Sequence, residues 1–348
     1  MSFLDDVLAN FVSDLSVDLG TANTLVHVKG KGIVIHEPSI LTRHKKTKQI
    51  IAIGKEAKKM LGRTPVSIEV IRPLRDGVIS DFDTTLAMLS YFFNKAQKGA
   101  GRSLLKFRPM VVIGVPSSIS NVEVKAVLDA AKGAGARKAY LVEEALAAAI
   151  GAGLPVTESV GSMVVDIGGG TCEMAVISLG GVVVGRSIKV GGDALDRDII
   201  SYIRTRYGLA IGEATAEQIK ITLGSAYLSD EEKAMVVRGR DLEKGLPKTV
   251  RIMSSAIREA LASSLNVISQ AVRDTVEDAP PELGADIAER GITLCGGGAK
   301  LAGIAKLISS ETKMPVSIAE EPLLCVVKGT AVLIEKKDML SKIKVASS

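Results

Sequence analysis

The chain has 348 residues, of which 47% are hydrophobic and 24% are charged. This balance excludes an intrinsically disordered protein and is typical of globular domains, and the length is sufficient for two domains with separate cores. The net charge of +5, the absence of Trp and an aromatic content of only 3% argue against nucleic acid as a partner, because single-stranded nucleic acids are bound largely by aromatic stacking.

The cysteines and the apolar runs exclude further classes of protein. Cys172, Cys295 and Cys325 are widely spaced, so neither a disulfide framework nor a zinc site is predicted, and a reducing compartment is expected. No apolar run reaches the ~18 residues of a membrane-spanning helix. The first residues also lack the basic start and the cleavage site of a signal peptide, so a cytoplasmic protein is expected.

The first twelve residues predict an amphipathic helix. Its apolar side chains recur at helical spacing and fall on one face; they are Phe3, Leu4, Val7, Leu8, Phe11 and Val12. Asp5 and Asp6 lie on the opposite face, so burial of apolar surface rather than charge attraction would drive binding to a membrane. The alternative is that this helix packs on the protein itself.

One pattern of strands and glycine loops occurs twice. Residues 16–24 read Ser-Val-Asp-Leu-Gly-Thr-Ala-Asn-Thr, and residues 164–171 read Val-Val-Asp-Ile-Gly-Gly-Gly-Thr. Each begins as a buried strand that ends in an acidic residue, and each is followed by a glycine loop, a strand, a glycine turn and a further strand. The repetition predicts two related lobes, each presenting an Asp-Gly hairpin.

Alternating strands and helices between and after these hairpins predict an α/β fold. We expect lobe I to comprise residues 1–148, with a smaller insertion at about 36–77, and to be completed by about 325–348. Lobe II is expected to comprise residues 149–324, with an insertion at about 191–246, of which residues 201–246 are charged and expected to be mostly helical.

The segment Arg102-Ser-Leu-Leu-Lys-Phe-Arg108 is a second candidate for contact with a membrane. Its apolar side chains, Leu104, Leu105 and Phe107, stand among three basic residues, a composition that suits an anionic lipid surface. The alternative is that these apolar side chains belong to the core.

The glycine loops predict a phosphate site. Successive glycines can aim several backbone N–H groups at one anion, and two such loops could hold the β- and γ-phosphates of a nucleotide from both sides. Asp18 and Asp166 would be repelled by free phosphate but suit Mg²⁺ bound through its water shell. A third loop, 296–299, suits the adenosine moiety. The chain lacks both GxxxxGK[ST] and GxGxxG, which argues against a P-loop and a dinucleotide fold.

Five motifs together resemble the actin-like superfamily and, within it, the MreB family of bacterial actins. They are residues 17–24, 71–81, 164–171, 191–196 and 296–299, and the resemblance extends from about Leu15 to Leu340. It implies two lobes, each of two subdomains, around an ATP cleft. It also implies head-to-tail filaments on the inner face of the cytoplasmic membrane.

The resemblance assigns roles to individual residues. ATP would be held by Asp18, Gly20, Thr21, Ala22, Asn23, Gly168, Gly169, Gly170, Glu217, Gln218, Ile219, Lys220, Gly296, Gly297, Gly298 and Ala299, with Mg²⁺ on Asp18 and Asp166. Catalysis would fall on Glu144, with Thr171 placing the attacking water and Asp166 beside it. Glu217 and Lys220 are one helical turn apart and can point at the same ligand, although an ordinary solvated pair would have the same spacing.

The chain departs from the family pattern at two positions. Cys172 replaces a threonine after the second loop, where we expect it to pack in the core. Ala145 replaces a proline at the start of a helix, which removes a fixed φ next to Glu144. Positioning of Glu144, and with it the hydrolysis rate, is therefore less secure than ATP binding.

The resemblance implies a slow ATPase that forms membrane-associated filaments and helps to determine cell shape by organising cell-wall synthesis. Membrane proteins of the cell-wall elongation machinery are the implied partners. The alternative is a metabolic kinase of the same fold that phosphorylates a sugar or a carboxylic acid. Such an enzyme needs a base for the hydroxyl of its substrate, and no candidate stands out beyond Glu144.

Overall fold

The structure, a computed structural model, describes residues 14–99, 108–228, 231–343 and 346–347. Its strands, β1 to β19 in chain order, are Leu15–Leu19, Asn23–Val28, Gly32–Pro38, Leu41–His44, Ile50–Ile53, Ile68–Ile71, Leu74–Arg75, Val78–Ile79, Met110–Val115, Lys138–Glu143, Ser162–Ile167, Cys172–Ser178, Gly181–Ile188, Leu209–Ala210, Ala234–Asp241, Pro247–Met253, Ile292–Cys295, Val316–Ile318 and Ala346–Ser347.

The α-helices of the described residues, α1 to α11 in chain order, are Lys55–Met60, Phe82–Gly99, Asn121–Gly133, Glu144–Gly151, Gly192–Tyr207, Glu213–Leu223, Ser254–Glu277, Pro281–Arg290, Ile304–Thr312, Cys325–Glu335 and Lys337–Ile343. Short 3₁₀-helices span Gly298–Lys300 and Pro322–Leu324. Among the described residues, no helix combines the length and the apolar composition that crossing a membrane requires.

Two sheets form the centre of the molecule and share one arrangement. The first sheet has the order β19-β10-β9-β1-β2-β3, and the second has the order β13-β12-β11-β17-β18. In both, the first strand of a hairpin pairs antiparallel with the next strand and parallel with a later one. Strands β9 and β11 are buried at every position, as expected for strands covered on both faces. The predicted repetition is therefore present in the sheet topology.

The common arrangement places Asp18 and Asp166 at equivalent positions. Asp18 lies between Leu25 of β2 and Gly114 of β9, and Asp166 lies between Glu173 of β12 and Cys295 of β17. Each carboxylate stands at the carboxyl end of its strand, directly before a glycine loop.

Helices α4 and α10 pack between the two sheets. Their contact is unusually close, because a Cβ atom added at Gly329 of α10 would lie 1.8 Å from the carbonyl oxygen of Ala147 in α4. Only glycine permits such an approach of two helix backbones. A separate cluster of buried residues surrounds this pair and includes side chains from both sheets, such as Val112 and Val164. The two sheets are therefore connected through a continuous core.

Each central sheet is accompanied by a smaller sheet. Strands β5-β4-β6 form a sheet with helix α1 beside it, and strands β14-β15-β16 form another. The mostly helical character predicted for 201–246 is wrong in part, because β15 occupies Ala234–Asp241 and pairs with β16 at Pro247–Met253, directly after this segment. In both strands, more exposed residues alternate with more buried ones. This period of two is typical of a strand, but the charged residues made it difficult to recognise in the sequence. The predicted lobe boundaries stay predictions.

Candidate functional site

A cleft of about 1080 Å³ lies between the two central sheets, at the upper end of the range for small-molecule sites. Most of the predicted site residues line it, namely Asp18, Gly20, Thr21, Ala22, Asn23, Glu144, Asp166, Gly168, Gly169, Gly170, Thr171, Glu217, Lys220, Gly296, Gly297 and Gly298. Residues separated by more than 100 positions in the sequence thus share one cavity.

The two glycine loops lie against each other at the base of the cleft. A Cβ atom at Gly169 would stand 2.5 Å from Cβ of Ala22, and one at Gly170 would stand 2.6 Å from Oγ1 of Thr21. Real Cβ atoms do not approach so closely, so the contact between the loops depends on glycine at both positions.

The loops present backbone donors without acceptors. The N–H groups of residues 20–22 and 169–171 make no hydrogen bond to any residue that the structure describes. Unpaired backbone donors are costly when they are removed from water, and N–H groups that converge in a glycine loop form a site for an anion. The arrangement is therefore chemically suited to phosphate.

Carboxylates crowd the floor beneath the loops. Burial raises the pKa of Asp18 to about 7. Burial also raises the pKa values of Glu144 and Asp166 well above their usual range, and the negative charges of neighbouring carboxylates, among them Glu173, raise them further. A cation would remove both causes.

The donor set fits Mg²⁺ bound largely through water. Among the described residues, no cluster of three or more His, Cys, Asp or Glu side chains is arranged to hold a metal ion by itself. Mg²⁺ usually takes one or two carboxylates and completes its octahedron with water and phosphate oxygens. Asp18 and Asp166, one from each sheet, supply that number.

The third loop follows β17 and packs under the second hairpin. Gly296 has φ +79°, and a Cβ atom there would lie 2.4 Å from both Oδ1 of Asp166 and the carbonyl oxygen of Ile167. Gly297 and Gly298 line the cleft. Ala299 is not among the lining residues and is fully buried in the core around the second sheet, so its predicted contact with the ligand stays a prediction.

Helix α6 presents one face to the cleft. Lys220 donates to the carbonyl oxygen of Gly192 at 2.7 Å and pairs with Oδ1 of Asp196 at 2.9 Å. Gln218 bonds Thr222 along the helix, and Ile219 is fully buried. Gln218 and Ile219 are not among the residues that line the cleft, whereas Glu217 and Lys220 are, so the contacts predicted for Gln218 and Ile219 with the ligand stay predictions.

Two ion pairs cross the mouth of the cleft. Nζ of Lys58 lies 2.9 Å from Oε2 of Glu217, and Nη2 of Arg72 lies 2.9 Å from Oε2 of Glu213. These partners were not predicted from the sequence, since the two residues of each pair are 159 and 141 positions apart. Glu217 therefore has a protein partner in addition to its predicted ligand role.

The segment 71–81, whose motif had no predicted role, supports the first glycine loop. Its Gly77 donates a backbone hydrogen bond of 3.0 Å to Oγ1 of Thr21. A Cβ atom at Gly77 would lie 3.1 Å from Cγ2 of Thr171. This segment therefore contacts both phosphate loops at once.

The departures from the family pattern have local explanations. Helix α4 begins at Glu144 although Ala145 lacks the fixed φ of proline, and Glu144 is 8% exposed. Cys172 is fully buried in the core around the second sheet, so it packs as predicted.

The predicted membrane contacts, Phe3, Leu4, Val7, Leu8 and Phe11 with Leu104, Leu105 and Phe107, lie outside the described residues.

Replacing Asp18 with Asn is expected to stabilise the protein at neutral and alkaline pH without added ligands. With its pKa raised from 3.8 to about 7, the folded state binds more protons than the unfolded chain, so the unfolding free energy falls as the pH rises between these values. The gain is at most about 4 kcal/mol, since Asp18 keeps some contact with water. Urea unfolding at about pH 8 and about pH 4 measures it.

The matched control for this substitution is Asp129→Asn on the exposed face of α3, which should show no pH-dependent gain. An equal effect of Asp18→Asn at both pH values would mean that burial does not perturb this carboxyl.

The MreB/Mbl protein family matches residues 12–342 of the chain. The cell shape-determining protein MreB of Escherichia coli (strain K12) is 50% identical over 333 residues, which cover 94% of this chain and 95% of that protein. The cell shape-determining protein Mbl of Bacillus subtilis (strain 168) is 47% identical over 337 residues, which cover 97% of this chain and 100% of that protein.

The fold agrees with a solved structure. The crystal structure of MreB5 of Spiroplasma citri bound to ADP has a TM-score of 0.89 and 39% sequence identity, and the match covers 95% of this chain and 98% of that one. The predicted actin-like α/β fold is confirmed, and the chain belongs to the MreB/Mbl family.

Proposed function

We propose that the chain is an actin-like protein that binds ATP, assembles into filaments and helps to determine cell shape by organising cell-wall synthesis. The observation that carries this proposal is the pair of facing glycine loops, each with free N–H groups and a carboxylate at its base. Relatives 47% and 50% identical are named cell shape-determining proteins, and Spiroplasma citri MreB5 is known in structures bound to ADP and to AMPPNP.

The two loops hold the phosphates of ATP in this proposal. Residues 20–22 and 169–171 would donate backbone N–H groups from opposite sides, and Asp18 and Asp166 would hold Mg²⁺ through its water shell. When bound, Mg²⁺ neutralises charge on the β- and γ-phosphate oxygens. The loop 296–298 and the side chains of Glu217 and Lys220 lie on the adenosine side.

Hydrolysis falls on Glu144 at the start of α4. Its pKa is raised well above the usual range, first by burial and then by Glu173, and a carboxyl group whose pKa is raised by burial is a common choice for a general base. The attacking water, placed by Thr171 with Asp166 nearby, forms a bond to the γ-phosphorus as the bond to the β–γ bridging oxygen breaks. Glu144 takes the proton of the water, and ADP and phosphate leave.

Glu144→Ala is expected to slow ATP hydrolysis by ~10²–10⁴-fold, the usual loss when a positioned base is removed. ATP affinity and filament assembly should change little, because the substitution leaves both phosphate loops intact. Phosphate release at saturating ATP measures the rate, and a fluorescent ATP analogue measures the affinity.

Glu143→Ala is the matched control, since Glu143 precedes the helix and is also partly buried but is not among the residues that line the cleft. It should hydrolyse ATP within a few-fold of the unaltered protein. Hydrolysis at the parental rate by Glu144→Ala would remove Glu144 from the mechanism.

Membership of the MreB/Mbl family does not favour the alternative of a metabolic kinase. Sedimentation separates the two functions. A filament protein pellets when ATP and Mg²⁺ are added, whereas a kinase stays in solution and releases ADP only when its sugar or carboxylic acid substrate is present.

Self-association and attachment to the membrane complete the proposal. The filaments would be head-to-tail polymers of this chain on the inner face of the cytoplasmic membrane, in contact with membrane proteins of the elongation machinery. The apolar residues of the first twelve positions and of 102–108 would touch the lipid. Each contact is weak alone, but assembly multiplies such contacts because many copies bind the same surface.

Deletion of residues 1–12 is expected to weaken co-sedimentation of assembled protein with anionic liposomes. Addition of Leu105→Ser and Phe107→Ser should abolish it, because the remaining apolar contact with the bilayer is then lost. Filaments should still form in solution, as electron microscopy with ATP can show. Unchanged lipid binding by the combined variant would contradict the assignment of these segments.

A further inference from the structure

Glu173 is a buried carboxylate with no role in the chemistry described so far. It lies on β12 directly across from Asp166 of β11 and is 1% exposed. Its side chain accepts hydrogen bonds from the N–H of Ser117 at 3.2 Å, from Oγ of Ser117 at 2.7 Å and from Oγ of Ser187 at 2.5 Å. A buried carboxylate is costly without such donors, and donors to a charged acceptor bind strongly.

The two serines belong to different parts of the molecule. Ser187 lies on β13 of the second sheet and is the cross-strand neighbour of Glu173. Ser117 follows β9 of the first sheet. One hydrogen bond of Glu173 therefore stays within a single sheet, whereas the other two join the sheets. Ser187 has one further contact, an exposed hydrogen bond of 3.2 Å with Oγ of Ser118.

The segment that Ser117 anchors supports both phosphate loops. A Cβ atom at Gly77 would lie 2.6 Å from Cγ of Pro116, the residue before Ser117, and 3.1 Å from Cγ2 of Thr171. The N–H of Gly77 in turn binds Oγ1 of Thr21. Contacts thus run without interruption from Glu173 through residues 116–117 and Gly77 to the first loop and to Thr171.

The proposed catalytic groups come from the two sides of this connection. Glu144 follows β10 of the first sheet, and Thr171 precedes β12 of the second sheet. The distance between Glu144 and Thr171, with the attacking water between them, therefore depends on how the two sheets are held together at the base of the cleft. The negative charge of Glu173 also raises the pKa of Glu144 more than any other neighbouring charge.

We propose that Glu173 is a positioning residue for hydrolysis, which fixes the first sheet against the second by holding Ser117 so that Glu144 and Thr171 face the same water. This inference rests on the proposed ATPase function. Because misplacement of reacting groups by about 1 Å can reduce a rate by 10²-fold, loss of this connection should lower the hydrolysis rate more than ATP affinity.

Ser117→Ala and Ser187→Ala form a matched pair, since each removes one hydroxyl donor from the same carboxylate. A role limited to satisfying the buried charge predicts equal effects of the two substitutions on hydrolysis. The positioning role predicts that Ser117→Ala lowers the single-turnover hydrolysis rate by about 10- to 100-fold while the affinity for a fluorescent ATP analogue stays within about 2-fold. Ser187→Ala should hydrolyse at nearly the unaltered rate.

Ser117→Thr serves as the rescue variant, because it restores the hydroxyl at a position that is only half-buried, and it should recover most of the rate. Thermal unfolding of all three variants tests that they fold. A Ser117→Ala rate equal to that of the unaltered protein, or equal losses from both alanine variants, overturns the inference. If the unaltered protein itself fails to hydrolyse ATP in the same assay, the proposed ATPase function falls, and the inference falls with it.

Discussion

The concentration of buried carboxylates beneath two glycine loops is the constraint on which the rest of the site depends. Asp18, Glu144 and Asp166 line the floor of one cleft, with Glu173 across from Asp166. Burial raises the pKa values of the first three, and repulsion by neighbouring carboxylates raises those of Glu144 and Asp166 further. Such an arrangement opposes folding unless a compensating group binds. The free N–H groups directly above it attract anions, so a metal–phosphate complex satisfies both requirements at once.

The doubled sheet architecture explains how this charge can be assembled. Each central sheet supplies one aspartate at the end of a fully paired strand, and the close packing of α4 against α10 holds the sheets together behind the site. Neither sheet alone forms the cleft. The function of the site therefore depends on the position of one sheet relative to the other. The contacts between the sheets determine that position.

These contacts differ in strength between the mouth and the floor. The ion pairs Lys58–Glu217 and Arg72–Glu213 are substantially exposed, and exposed pairs usually contribute only about 0.2–1 kcal/mol. The hydrogen bonds from Ser117 to Glu173 are partly buried, with the carboxylate itself only 1% exposed. We infer that the mouth can open for nucleotide exchange at little cost while the floor keeps its geometry. The cleft thus has weak contacts at its mouth and stronger contacts at its base.

The sequence predicted the features whose signal is local. The Asp-Gly hairpins, the α/β class and most cleft-lining residues follow from short motifs, because a loop that must bring backbone close to a ligand needs glycine at fixed positions. Gln218 and Ile219 were predicted together with Glu217 and Lys220, although of these four only Glu217 and Lys220 line the cleft. Ala299 was predicted with its loop, although its side chain is buried in the core.

Features that depend on tertiary contact were not predictable. Lys58, Arg72 and Ser117 gain their roles from partners more than 50 positions away. Only Arg72 lies in a recognisable motif, 71–81, and that motif does not indicate its partner. The strands at 234–253 were obscured for a related reason, since their charged residues stand on the exposed side of a small sheet. Pairing, rather than local composition, decides such segments.

Titration of Gly169→Val with ATP and Mg²⁺ tests the central claim most directly, because a Cβ atom there would stand 2.5 Å from Cβ of Ala22, where the two loops meet. Gly181→Val is the matched control, since its nearest neighbour is 4.0 Å away. Calorimetry, with circular dichroism to verify folding, should show ATP binding by the unaltered protein and by Gly181→Val, and none by folded Gly169→Val. Binding of ATP by Gly169→Val with unaltered affinity would show that the glycine loops do not hold the phosphates.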